Sequence, residues 1–209
     1  SDNPDPTVIK AEDGYFYLYA TGGNTWIHKS KDLVHWTYVG GAYEDDKKPS
    51  WEPEAGIWAP DINYINGKYV MYYSLSKWGG GATCGIGVSV SDKPEGPFTD
   101  QGKLFRSNEI DVHNSIDHFY IEDNGKKYLF WGSWYGIWGV ELTEDGLGLK
   151  GGIENAKATK IQVAANTGGT NAYEGSYILK RGKYYYLFCS TGTCCDGANS
   201  TYQTVVCRS

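Results

Sequence analysis

The stretch SIDHFYIEDNGKKYLFWGS, residues 115–133, contains the pattern that decides the fold. An acidic residue, Asp117, stands eight positions ahead of the turn residue Gly125, and an aromatic strand follows the turn. The same unit recurs as DPTVIKAEDGYFYLYAT (5–21), APDINYINGKYVMYYS (59–74) and YEGSYILKRGKYYYLFCS (173–190). The turn glycines are 53, 58 and 57 residues apart. Aromatic strands repeated at that period are typical of the blades of a β-propeller.

The acidic residues of the four units are Asp5, Asp61, Asp117 and Glu174. If each of them opens the innermost strand of its blade, all four side chains reach the same end of the central channel. We therefore predict that the four carboxylates converge on one pocket.

The turns within the units predict antiparallel hairpins. Asp-Gly and Asn-Gly pairs readily take the positive φ angles that tight hairpins need. The strands expected after the turns are 15–21, 68–76, 127–134 and 183–191, and outer strands are expected within 26–40, 84–102 and 136–150. Since no segment has a helical period, we predict an all-β protein with a single domain over residues 1–209.

The composition limits the possible partners. The chain has 209 residues, 28 glycines, 15% aromatic residues and a net charge of −6. A nucleic-acid-binding protein normally carries a basic patch, so we expect no nucleic-acid partner. We also expect no membrane partner, because no apolar run approaches the length needed to cross a bilayer. The sequence shows no signal peptide, so localisation has to be inferred from function.

The five cysteines fit no zinc module, because their spacing lacks paired Cys-x-x-Cys or histidine ligands. Cys194 and Cys195 are adjacent, and a bond between them would close a strained ring. We expect buried, reduced cysteines that serve in packing.

Several motifs in order resemble glycoside hydrolase family 43. They are DPTV, WAPD, the third unit quoted above, and EGSYI followed by KRGKYYYLF. The later stretch TGTCCDGANSTY (191–202) resembles the arabinan-degrading branch of that family, the endo-1,5-α-L-arabinanases and related α-L-arabinofuranosidases. The resemblance implies a five-bladed β-propeller, of which about four blades are represented here.

The resemblance also assigns catalytic roles. Family 43 enzymes invert configuration, which requires a base that activates water and an acid that protonates the leaving oxygen. Asp5 matches the base and Glu174 matches the acid. Asp117 matches a third carboxylate that raises the pKa of the acid and orients it, because a nearby negative charge disfavours ionisation.

Five further residues are candidates for substrate binding: Trp58, Asp61, Asn114, Ser115 and Trp134. Trp58 and Trp134 could pack on the apolar face of a sugar ring. His113 and His118 lie beside Asp117 in sequence, and we interpret them as structural. Six other tryptophans, Trp78 and Trp131 among them, are predicted to lie in the core or between blades.

The chain departs from the family pattern in three respects. His118 follows Asp117 where the family usually has proline, and Cys207 stands where it usually has glycine. The rest of blade 4 and all of blade 5 of the family are missing, so we expect this chain alone to be unstable or to aggregate unless another chain completes the ring. The missing part commonly supplies a histidine for a central metal ion, and the metal ligands here are unknown. The chemistry requires no cofactor, although a structural Ca²⁺ is possible.

We therefore predict a glycosidase acting on plant cell-wall arabinan or its oligosaccharides, secreted or periplasmic. One alternative is the sister activity of a β-xylosidase. A second is a catalytically impaired carbohydrate-binding propeller, and a third is a peptide-binding propeller. Three converging acids favour an enzyme, and the WD and kelch signatures of interaction propellers are absent from the sequence.

Overall fold

The computed structural model describes residues 3–165 and 172–209 and arranges their strands in four antiparallel sheets. Blade 1 contains β1 (Thr7–Lys10), β2 (Phe16–Ala20), β3 (Trp26–Ser30) and β4 (Thr37–Gly41). Blade 2 contains β5 (Gly56–Ile65), β6 (Lys68–Ser76), β7 (Gly85–Ser91) and β8 (Thr99–Arg106). Blade 3 contains β9 (Phe119–Asp123), β10 (Lys126–Trp131), β11 (Ile137–Glu141) and β12 (Ile161–Ala164). Blade 4 contains β13 (Tyr173–Arg181), β14 (Tyr184–Thr191) and β15 (Gln203–Arg208).

Each sheet is a meander in which strands that follow one another in sequence are also neighbours in space. The first strands of successive blades contact each other, β1 with β5, β5 with β9 and β9 with β13. First strands that meet in this way lie innermost, as in a propeller. The predicted all-β propeller with about four blades is confirmed.

The predicted Asn-Gly hairpins are present between the first two strands of blades 2 and 3. Asn66 and Gly67 have φ angles of 51° and 81°, and Asn124 and Gly125 have 50° and 74°. Two central residues with positive φ form the turn whose twist matches that of the strands it joins. The turns therefore fix the register of β5 with β6 and of β9 with β10.

The prediction that no segment is helical is wrong at two places. Helix α1 spans Ser107–Ile110 and helix α2 spans Gly152–Thr159, and the two contact each other. Among the residues of α2, only Ala156 is buried. A helix this short with one buried residue has no apolar stripe that a sequence pattern could reveal. Neither helix is long and apolar enough to cross a membrane, and the same holds for every described helix.

Two apolar clusters hold the blades together. One lies between blades 2 and 3 and contains Phe105, Leu129 and Trp131, all fully buried. The ring centroids of Phe105 and Trp131 are 4.8 Å apart. The other cluster joins blades 1 and 2 through buried side chains such as Tyr19 and Met71. The prediction that Trp131 lies in the core is confirmed.

We expect Trp131→Ala to lower the free energy of unfolding by about 3–5 kcal/mol, because it removes a fully buried ring and leaves a cavity. Urea denaturation followed by circular dichroism measures this. Trp78→Ala is the matched control, since Trp78 is exposed and its removal leaves no cavity in the core. Equal losses for the two variants would contradict the packing described here.

Candidate active site

A cavity of about 980 Å³ lies at one end of the inner strands and is lined by residues from all four blades. Asp5, Asp117 and Glu174 all face it. These three carboxyls come from blades 1, 3 and 4, so the cavity exists only where the blades meet. The predicted convergence therefore holds for three of the four acids.

Asp5 stands just ahead of β1 and is held by the hydroxyl of Thr21. Thr21 Oγ1 donates to Asp5 Oδ2 at 2.7 Å and accepts the backbone N–H of Ala59 at 2.7 Å. Thr21 follows β2, whereas Ala59 belongs to β5 of the next blade. One hydroxyl thus orients the carboxyl and ties blade 1 to blade 2.

Glu174 lies on β13 where the pairing with β14 shifts register. Such an irregularity bends the strand and redirects a side chain. Ser133 Oγ donates to Glu174 Oε2 at 2.7 Å, and the hydroxyl of Tyr202 donates to Glu174 Oε1. Sequence reasoning missed both partners. Their signals were the serine that ends the third repeat unit and the tyrosine that ends the TGTCCDGANSTY stretch.

Asp117 precedes β9 and has the left-handed φ of 57°. Its backbone N–H donates to Ser74 Oγ of blade 2 at 3.1 Å. Burial raises the pKa of the Asp117 carboxyl well above its usual range, and the nearby Glu174 and Asp5 carboxyls raise it further. A hydrogen bond from the Gly175 backbone N–H lowers this pKa.

The pKa of Glu174 is also raised, first by burial and then by the charge of Asp5. Hydrogen bonds from Ser133 and Trp134 oppose this rise in pKa. Asp5 is thus one charged neighbour that raises the pKa of Glu174, and the Asp117 carboxyl is also close enough for the two groups to repel each other. Carboxyls this close cannot all ionise readily, so the cluster retains a proton to higher pH than isolated acids would.

Asp61 does not reach the cavity, which corrects the prediction of a fourth converging acid and of a substrate contact. It lies within β5, past a shift in the pairing with β6, and is only 7% exposed. Its Oδ2 accepts the backbone N–H of Tyr120 at 2.7 Å and the amide of Asn63 at 3.1 Å. The carboxyl therefore joins blade 2 to blade 3.

Ser115 is also placed differently from the prediction of a substrate contact. It is 0% exposed, and its hydroxyl accepts from Trp131 Nε1 at 2.9 Å and donates to the Val112 carbonyl at 2.8 Å. The adjacent Asn114 does line the cavity, and its Nδ2 donates to Ser133 Oγ at 2.9 Å.

Aromatic side chains form much of the cavity wall. Trp58 and Trp134 line it, as expected of sugar-contacting residues. Trp78, predicted to be a core residue, also lines it, is 77% exposed and has its ring 5.6 Å from that of Trp58. The prediction for Trp78 is therefore wrong. The glycines that follow it, Gly79–Gly81, were the available signal, because such a run is typical of a loop.

The loop 192–202 contributes Cys194 and Cys195 to the cavity wall, joined by a disulfide. The prediction that all five cysteines are reduced and buried is wrong for this pair. The backbone of Cys195 has a φ of 70°, so the chain turns at the bonded pair. The predicted buried, free thiols are present at Cys84 and Cys189, whereas Cys207 is free but exposed.

Within residues 3–165 and 172–209, no three His, Cys, Asp or Glu side chains are grouped so that they could hold a metal ion. The structural Ca²⁺ that the resemblance allowed stays a prediction, because Ca²⁺ also takes carbonyl and water oxygens as ligands. The chemistry proposed below uses side chains alone.

Three carboxyls from separate blades in one aromatic cavity match the expectation from the sequence motifs. The model for Glycosyl hydrolases family 43 matches residues 1–209. The chain belongs to glycosyl hydrolases family 43. The chain is 33% identical, over 98% of its length, to a probable arabinan endo-1,5-alpha-L-arabinosidase A of Aspergillus flavus. It spans 65% of that relative, less than two thirds.

Solved structures of related proteins share the fold of this family 43 chain. An exo-1,5-alpha-L-arabinanase from a bovine ruminal metagenomic library is 36% identical, with a TM-score of 0.84 over 100% of this chain and 71% of that one. The alpha-L-arabinanase of Cellvibrio cellulosa, solved in complex with arabinohexaose, is 30% identical, with a TM-score of 0.82 and the same coverage of both chains.

The buried Asp61 predicts a pH dependence of stability. Burial raises the pKa of this carboxyl to about 7, and hydrogen bonds from Tyr120, Asn63 and Thr7 act against that rise. The unfolded chain has the usual pKa near 3.8. Between these values the folded state holds the Asp61 proton more tightly than the unfolded state does. The stability that Asp61 contributes is therefore present at low pH and is lost as the pH rises towards 7.

We therefore expect Asp61→Asn, which cannot ionise, to gain stability relative to the wild type between pH 4.5 and pH 8. The change over this range corresponds to about 2.4 pKa units, a relative gain of about 3 kcal/mol, because the unfolded carboxyl is already mostly ionised at pH 4.5. Urea denaturation of both proteins at the two pH values measures it, because contributions from other carboxyls cancel in the difference. A difference between the proteins that does not change with pH would contradict the raised pKa.

Proposed function

We propose that this family 43 protein hydrolyses α-L-arabinofuranosidic linkages in arabinan or its oligosaccharides with inversion of configuration. The observation that carries the proposal is that Asp5, Asp117 and Glu174 face one cavity from three blades. Inverting glycoside hydrolysis needs two carboxyls with opposite roles on either side of the scissile bond. The curated relative is a probable arabinan endo-1,5-alpha-L-arabinosidase, which supports arabinan as the substrate class.

Glu174 suits the role of acid. Its raised pKa keeps the carboxyl protonated to higher pH, as proton donation to a leaving oxygen requires. Ser133, which is buried, holds Oε2, whereas Tyr202 holds Oε1 from the cavity wall. The leaving oxygen of the substrate would take the place of the Tyr202 hydroxyl, so the proton would leave from Oε1.

Asp5 suits the role of base. Thr21 donates to Oδ2, which fixes the carboxyl and leaves Oδ1 for the attacking water. Asp117 lies close enough to both other acids for the carboxyls to repel one another. This mutual repulsion favours a proton on one member of the cluster before reaction, and the ionised members stabilise positive charge at the sugar during it.

The aromatic wall suits a chain of sugars. Trp58, Trp78 and Trp134 present ring faces that could pack against the apolar faces of sugar rings. The Cellvibrio cellulosa neighbour was solved with arabinohexaose, which supports an oligosaccharide as the ligand of this cavity. Since a polysaccharide does not cross membranes, we infer that the protein acts outside the cytoplasm, secreted or in the periplasm.

We expect Glu174→Gln to lower kcat/KM on arabinan by about 10²–10⁴-fold, because the leaving sugar needs a proton. The loss on an aryl arabinofuranoside with an activated phenol should be much smaller, since phenolate leaves without protonation. Asp5→Asn should reduce cleavage of both substrates, because water still has to be activated. The measurement is kcat/KM for both variants on both substrates.

The anomeric configuration of the first product, followed by proton NMR, is the companion measurement. The initial product should have the configuration opposite to that of the substrate. Equal losses on polymer and aryl substrate for Glu174→Gln would remove it from the acid role. Retained configuration would rule out the water-mediated attack.

We expect Trp78→Ala to raise KM for long arabino-oligosaccharides while leaving kcat almost unchanged. One lost aromatic contact of about 1 kcal/mol corresponds to roughly fivefold in KM. An aryl monosaccharide is the internal control, because it occupies only the site next to the acids. If KM for both substrates changed equally, Trp78 would not bind a remote sugar.

A further inference from the structure

We propose that Ser74 and His118 form a hydrogen-bonded pair that positions Asp117 by fixing its backbone in the active-site cavity. Ser74 belongs to β6 of blade 2 and His118 follows Asp117 at the start of blade 3. The effect on catalysis rests on the function proposed above, whereas the pair itself can be tested without it.

The backbone of Asp117 needs an external restraint. Its φ of 57° lies in the left-handed region, which residues with a side chain adopt less readily than glycine does. Such a conformation persists only where the surrounding structure holds it. Ser74 supplies a restraint, because Ser74 Oγ accepts the Asp117 backbone N–H at 3.1 Å and is fully buried.

His118 completes the arrangement around Ser74. The imidazole is 6% exposed, and its Nδ1 lies 3.3 Å from Ser74 Oγ. Because the Ser74 oxygen already accepts from Asp117, its own proton is free to point at Nδ1. We infer that Nδ1 accepts this proton and that Nε2 carries the hydrogen; the other tautomer, in which Nδ1–H donates to Ser74 Oγ, is distinguished by the ¹⁵N measurement below.

The protonation of His118 agrees with this role. Burial lowers the pKa of the imidazole to about 4, and the nearby Tyr72 carbonyl raises this pKa by a smaller amount. A neutral ring at working pH keeps Nδ1 available as an acceptor. Nε2 has no hydrogen-bond partner among the described residues, so Ser74 Oγ and the Tyr72 carbonyl are the polar groups next to the ring.

Ser74 also has counterparts in the neighbouring blades. Thr21 in blade 1 and Ser133 in blade 3 stand at the same place, after or at the end of the second strand. Each of these hydroxyls bonds a group on, or just ahead of, the inner strand of the following blade: Ala59, Asp117 or Glu174. Ser74 is therefore one member of a repeated contact that sets the positions of the acids.

A packing role for His118 has to be distinguished from a polar one. Its ring contacts Tyr72 edge-on, with centroids 6.2 Å apart, and Tyr72 stacks on Tyr120 at 5.7 Å. Phenylalanine at position 118 retains a ring against Tyr72 but cannot accept a hydrogen bond. Asparagine retains an oxygen near the place of Nδ1 but has no ring. These two substitutions separate the roles.

The first experiment measures kcat and KM on arabinan for Ser74→Ala, His118→Phe and His118→Asn. We expect kcat to fall about tenfold in Ser74→Ala and His118→Phe with KM unchanged, because a displaced carboxyl impairs the reaction more than binding. His118→Asn should recover most of kcat. If His118→Phe retained kcat while His118→Asn lost it, the ring would serve packing alone and the proposal would be overturned.

Ser89→Ala is the matched control for Ser74→Ala. Ser89 is equally buried in the same blade, and its hydroxyl bonds Tyr43 away from the cavity. We expect this variant to lose stability in thermal unfolding but to keep kcat. If Ser89→Ala and Ser74→Ala lowered kcat equally, the effect of Ser74 would be a general loss of folding.

The second experiment does not depend on activity. The ¹⁵N chemical shifts of the His118 ring report which nitrogen carries the proton in the wild-type protein. We expect the Nε2–H tautomer in the wild type, and a shift of the Nδ1 resonance in Ser74→Ala as its hydrogen bond is lost. The Nδ1–H tautomer, or an unchanged Nδ1 resonance in Ser74→Ala, would overturn the pair. If the wild type did not cleave arabinan, the proposed function would fail, and this measurement alone would decide the pair.

Discussion

The active site depends on hydroxyl groups that bond from one blade to the next. Thr21, Ser74 and Ser133 each stand near the end of a second strand and bond a group on, or just ahead of, the inner strand of the following blade. A propeller blade has few backbone hydrogen bonds to its neighbours, because its strands pair within their own sheet. These hydroxyls therefore fix the relative positions of the blades at the end where the acids lie. A buried hydroxyl without a partner would be costly, so the contacts also resist small displacements between blades.

Placing the acids together is itself unfavourable for the folded state. Burial and mutual repulsion raise the pKa values of Asp117 and Glu174, which means that the folded protein holds these groups where they ionise less readily. The cost of this crowding is offset by the apolar clusters between blades and by hydrogen bonds to the carboxyl oxygens. Crowding is also what a proton donor requires, since a protonated carboxyl near neutral pH exists only in such surroundings.

The inner strands show how a repeat can place equivalent residues in different roles. Asp5 and Asp117 stand ahead of their strands and face the cavity, whereas Asp61 lies inside β5 and joins blade 2 to blade 3. Glu174 lies inside β13 but faces the cavity at a shift in strand pairing. The direction of each side chain depends on local register, because one residue of shift reverses the face of a strand.

The sequence alone determined the blades, the hairpin turns and the three acids that meet in the cavity. These features depend on local patterns: alternation along a strand, Asn-Gly turns, and an acid at a fixed distance from a glycine. The tertiary structure decided the burial of Asp61 and Ser115, the exposure of Trp78, and the disulfide between Cys194 and Cys195. It also decided the hydroxyl partners, which lie 38 to 43 residues from the groups they bond. Such contacts depend on how separate blades pack and on the register of each strand, so a hydroxyl residue at the end of a repeat unit does not by itself reveal which group it bonds.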